Sequence, residues 1–92
     1  MTDIKEVFKF KSQQPFYDKE KYGLKNNTVR HIDLNDKRYI DLIHWSRIGW
    51  RNGGIKIKIV CAEEPKDFFT RDIRDISIYN NLMIITWNRE EI

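Results

Sequence analysis

Ile55, Ile57 and Ile59 alternate with Lys56 and Lys58. A two-residue period of this kind is a strand with one buried and one wet face. Phe8 and Phe10 alternate with Lys9 and Lys11 in the same way near the start of the chain. A third run, Leu82 to Trp87, is almost wholly apolar and reads as an interior strand buried on both faces. A sheet must therefore be built, and its edges guarded, within 92 residues. That length makes one domain, residues 1–92, which buries only about 60–65% of the surface exposed by its unfolded form.

Between these strands the pattern changes. Pro15 suits a helix's first turn, and Phe16 to Tyr22 reads as a short helix with Asp18 and Glu20 towards its positive end. Gly23 falls where a helix commonly leaves by a left-handed residue, and Leu24 offers the apolar contact that closes such a cap. Residues 25–30 then lead from a loop into an extended segment. A second helix, roughly Asp36 to Ile48, takes its cap from Asp33 or Asn35 and buries Tyr39, Leu42 and Ile43. Phe68 to Tyr79 is a long strand whose apolar phase slips between Ile73 and Ile76, which predicts a bulge near Arg74 and Asp75. Asn80-Asn81 supplies a tight turn, and residues 88–92 are expected to fray. The order is strand, helix, loop, helix, three strands. It predicts an α+β fold, a small, partly open, mostly antiparallel β-barrel with two helices over one end.

Charge narrows the function classes. The chain carries 17 basic and 14 acidic residues, net +3. Residues 30–58 hold seven basic and three acidic residues, while residues 59–92 hold four and seven. A modest basic middle suits phosphate, but a duplex-coating protein would be more basic. One cysteine excludes a disulfide framework within the chain, and His31 and His44 have no partners at metal spacing, so neither a metal nor another cofactor is expected. No apolar run approaches the roughly 18 residues of a membrane helix, and MTDIKEVFKFK has no apolar signal core, so a cytoplasmic protein is expected. Fourteen isoleucines and seven asparagines suggest an AT-rich genome, bacterial or phage.

The densest chemistry lies in Gly23-Leu24-Lys25-Asn26-Asn27-Thr28-Val29-Arg30. In an extended segment Thr28 and Arg30 point the same way, and Lys25 can curl back towards them. Arg30 can grip phosphate or carboxylate in bidentate fashion, and a desolvated Lys25 can accept the Thr28 proton. Trp50 and Arg51, in a glycine-flanked loop of the basic middle, add a stacking surface and a cation; stacking contributes about 1–3 kcal/mol per base.

This segment fits G-x-K-x-x-[ET]-x-R and so resembles the signature of the ASCH domains, a branch of the PUA-like superfamily of small β-barrels. The helix before it and the strands at 55–60 and 82–87 are also similar to elements of that family. The resemblance implies a domain that binds RNA or a nucleotide through Gly23, Lys25, Thr28 and Arg30. One bacterial subgroup hydrolyses N4-acetylcytidine, using the motif's lysine and threonine as activator and nucleophile with a later glutamate. Carried over, Lys25 and Thr28 would be catalytic. Only Glu63, Glu64, Glu90 and Glu91 follow the motif, two in a turn and two in the tail. A different class also fits, namely a small phage accessory protein, monomer or weak dimer. It would bind a host or defence protein, or sequester its nucleotide signal, with the Trp50 loop and the acidic final third as its interface.

Overall fold

The computed structural model describes residues 6–49 and 54–88. Strand β1 (Glu6–Ser12) is followed by α1 (Phe16–Lys21), β2 (Asn27–His31), α2 (Lys37–Ile48), β3 (Ile55–Cys61), β4 (Phe68–Tyr79) and β5 (Leu82–Trp87). The five strands form one mixed sheet in the order β1-β3-β4-β5-β2. It curls into the partly open barrel expected for an α+β chain of this size. β1 pairs with β3 in parallel, Phe8 opposite Ile57 and Phe10 opposite Ile59. The other three pairings are antiparallel. β1 and β2 are the two ends of the sheet, so the barrel's open seam lies between them.

The alternation drives the burial. Phe8, Phe10, Ile55, Ile57 and Ile59 all turn into the core, and the lysines between them turn out. Tyr17, Phe69 and Trp87 continue it as a run of rings, with centroids 5.6 Å apart for the first pair and 6.0 Å for the second. Each such side chain, once buried, contributes about 1.5–3 kcal/mol by leaving water. Helix α2 lays Tyr39 and Leu42 against the sheet, with the Tyr39 ring edge-on to Phe10 at 5.7 Å. The bulge falls where the phase slip predicts it, because the β4–β5 register skips Arg74 between Ile73 and Asp75. Asn80 turns the hairpin with φ 54°, and Gly23 leaves α1 with φ 83°, a value that disfavours any side chain.

Four local expectations are corrected. The cap of α2 is Asp36 rather than Asp33 or Asn35, and its carboxylate accepts from the Arg38 backbone N–H at 3.0 Å. Asp33 instead closes its own turn, accepting from the Asn35 N–H. Leu24 does not close the α1 cap, since it is 80% exposed; a bond from the Lys25 N–H to the Lys19 carbonyl at 3.0 Å ties the loop back instead. β5 is interior to the sheet but buries only alternate residues, Met83, Ile85 and Trp87, because a curled sheet has one inner face. Glu20 does not sit near the positive end of α1. It lies in the last turn, on the inner face with Tyr17, as two residues three apart must on a helix. Of the tail, Asn88 is tied by its N–H to the Asp72 carbonyl, and residues 89–92 lie outside the described residues. Among the described residues no helix is long and apolar enough to cross a membrane.

Candidate functional site

The antiparallel register of β2 on β5 sets Thr28 opposite Ile85 and Arg30 opposite Met83. Both partners are fully buried, so Thr28 and Arg30 face inward at the barrel's open seam, while Val29 between them is half exposed. The entry to β2 is held by Asn26, whose carbonyl accepts from the Trp87 N–H at 3.0 Å. Lys25 follows directly on the α1 turn and reaches into the same space. The result is an open cleft of about 610 Å³ walled by the end of β1, α1, the Lys25 loop and β2.

Inside it the polar groups are specifically arranged. Arg30 Nε donates to Thr28 Oγ1 at 3.0 Å, and Arg30 Nη2 donates to Ser12 Oγ at 3.0 Å. One guanidinium thus bridges β2 to β1 across the seam that no backbone pairing closes. Its face lies 5.1 Å from the centre of the Phe10 ring, a cation–π contact. Burial pushes the Arg30 pKa down, and the charge of Glu20 opposes that shift. A guanidinium remains charged regardless. Arg30 Nη1 makes no hydrogen bond to a described residue, so part of the fork remains for a ligand.

Glu20 is a cleft residue that the sequence does not single out. It is 2% exposed, the only buried charged side chain among the described residues, and it lines the cleft. Lys25 Nζ donates to Oε2 at 3.4 Å, the long end of a hydrogen bond. Oε1 has no partner, and it is the only buried side-chain nitrogen or oxygen among the described residues of which that is true. An unpartnered buried polar atom costs about 1–3 kcal/mol, more for a charged group. The sequence held one signal. Tyr17 and Glu20 are three apart on a short helix, so a buried Tyr17 carries Glu20 inward.

Of the sequence-stated candidates, Lys25, Thr28 and Arg30 meet in the cleft, and Gly23 provides the turn that delivers them. Lys25 engages Glu20 and Thr28 engages Arg30, so the cleft holds two linked pairs. Glu63 accepts from the Gln14 N–H outside it. Trp50 and Arg51 lie outside the described residues, as do Glu90 and Glu91.

A second, smaller cleft of about 320 Å³ adjoins the first along the seam, and Lys11 and Arg30 line both. Its far wall is Arg38, stacked 4.4 Å from the Phe10 ring centre and donating to the Lys9 carbonyl. Arg38 is itself held by a two-pronged pair with Asp36. Compared with known proteins, the sequence matches no family model and no curated protein.

Proposed function

We propose that the chain is an ASCH-type, PUA-like domain that binds RNA or a nucleotide in the seam cleft. One observation carries this reading. Lys25, Thr28 and Arg30, the polar positions of the sequence motif, converge on a single open cleft at the mouth of a partly open barrel. Lys9, Lys11 and Arg38 extend the basic surface along the same seam. Phe16, 55% exposed at the rim with Lys25 Nζ 5.9 Å from its ring centre, offers an aromatic surface on which a base can stack.

The pairing inside the cleft favours binding over hydrolysis. An ammonium held against Glu20 has no lone pair with which to take the Thr28 proton. The Thr28 oxygen is meanwhile engaged as acceptor by Arg30. Incubation with N4-acetylcytidine at high protein concentration is expected to leave its absorbance unchanged. Sustained turnover would reverse that order.

Binding itself is tested by titrating a short single-stranded RNA at several salt concentrations. On a domain of this size only about three or four phosphates of one strand are expected to meet a cation. Counterion release on a single strand then predicts a log–log slope of roughly −2 to −3. Arg30→Ala is expected to weaken binding strongly, by over about a hundredfold. Equal affinity of wild type and Arg30→Ala at every salt concentration would remove this reading.

A further inference from the structure

We propose that the seam binds its nucleotide in one polarity, the base edge against Glu20 in the larger cleft and the phosphate over Lys9 and Lys11 beyond Arg30. The inference rests on the nucleotide-binding reading and deepens it.

The larger cleft is a poor anion site, although Lys11, Lys25 and Arg30 all line it. Its inner wall carries a buried carboxylate whose Oε1 lacks a hydrogen-bond donor. A phosphate there would face a like charge where water screens poorly. What Oε1 lacks is an N–H. Beside it, Lys25 Nζ offers donors. An acceptor next to a donor is the complement of a nucleobase edge, which sets an amino or imino N–H beside a carbonyl oxygen or ring nitrogen. Phe16 at the rim supplies the face on which such a ring stacks.

The smaller cleft has the opposite character. Lys9, Lys11, Arg30 and Arg38 line it, with Phe10 and Tyr39, and no carboxylate does. Arg38 is already occupied by Asp36, which leaves the two lysines as its available cations. Both are exposed, and neither makes an ion pair with a described residue. Arg30 is the shared wall, so a nucleotide with its base in the first cleft carries its phosphate past Arg30 into the second.

The probes are cytidine, guanosine and uridine, their 5′-monophosphates and inorganic phosphate, titrated against the full chain. At least one nucleoside is expected to bind without its phosphate, and inorganic phosphate is expected not to displace it. Glu20→Gln keeps the shape but reverses the hydrogen bond. Lys25 holds the amide oxygen, so the amide N–H₂ points at the base and meets a donor with a donor. Nucleoside affinity should fall about tenfold, the usual scale of a mismatched base contact. Lys9→Ala, at the lysine that lines the smaller cleft alone, should lower the monophosphate's affinity towards that of the nucleoside and leave the nucleoside unchanged. Displacement of the wild-type nucleoside by inorganic phosphate would overturn the polarity, and it requires no variant to fold. So would a folded Glu20→Gln that binds nucleosides as wild type does. If RNA binding is lost in Arg30→Ala but untouched in Glu20→Gln and in Lys9→Ala, the function stands and the polarity falls. If the wild type binds no nucleoside, nucleotide or RNA, both fall.

Discussion

Helix α1 contributes to two polar clusters, and they are finished differently. In one, Tyr17 donates its hydroxyl to Asp67 at 2.8 Å, Lys21 pairs with the same carboxylate at 2.6 Å, and Arg71 donates to the Lys21 carbonyl at 3.1 Å while lying 4.8 Å from the Phe69 ring centre. In the other, Glu20 and Lys25 face Thr28, Arg30 and Ser12, and one buried carboxylate oxygen is left without a donor. The first cluster is closed on itself and anchors the turn before β4 to the helix. The second is incomplete and opens on a cleft. A polar cluster whose members pair with one another ties elements together, whereas a buried acceptor without a donor costs stability.

The largest expected effect follows from removing the group that completes the seam. Arg30→Ala should weaken binding of a nucleoside monophosphate by about 3 kcal/mol, over a hundredfold, because a desolvated, hydrogen-bonded charge is lost. Thermal melting should show the variant still folded. An affinity within threefold of wild type would erase the distinction between the two clusters.

Tyr17→Phe breaks the closed cluster without disturbing its ring packing. It should cost about 1 kcal/mol of stability by denaturant titration and leave nucleotide affinity unchanged. A matching loss of affinity would show that the two clusters act together.

The pH dependence sharpens the same contrast. Lys21 first, and then the Tyr17 hydroxyl, hold the Asp67 carboxyl below its ordinary value of 3.8. A depressed carboxylate stabilises the fold above its unfolded pKa, and that contribution is lost as pH falls through the folded value. Melting temperature should therefore drop below about pH 4 in part through Asp67. Asp67→Asn should lower stability at neutral pH and show a smaller drop on acidification. At the alkaline end, burial raises the Tyr17 phenol above its usual 10.0, with Asp67 adding to the effect. A raised phenol stabilises the fold below its unfolded pKa, and that share is lost as pH climbs beyond 10. Tyr17→Phe should remove that alkaline loss.

The fold was largely legible because its strands announce themselves. Lysine alternating with isoleucine or phenylalanine fixes which face of β1 and β3 is buried, and the phase slip in β4 locates its bulge. Thr28 and Arg30 were legible as a pair because a strand's two-residue period places them on one side. What stayed hidden was long-range. Nothing local says that β1 lies parallel to β3, since that pairing depends on two helices and β2 crossing between them. Nothing in the composition marks Glu20 as buried either, because glutamates on short helices usually face water. Only the packing of Tyr17 under Phe69 turns that face inward. Leu24 misled in the opposite direction, since an apolar residue after a glycine looks like a cap contact but here faces solvent. Leu24→Ala carries the smallest expected effect, within about 0.5 kcal/mol in stability and none in binding.

The most direct measurement is an amide chemical-shift map of the full chain titrated with a nucleoside 5′-monophosphate. The seam account predicts that the largest shifts fall on Lys11, Ser12, Lys25, Thr28 and Arg30, the backbone around the incomplete cluster. Asp67, Thr70 and Arg71, around the closed one, should stay in place. Shifts centred on the second group, with the first unmoved at saturation, would contradict the central claim that the seam is the binding site.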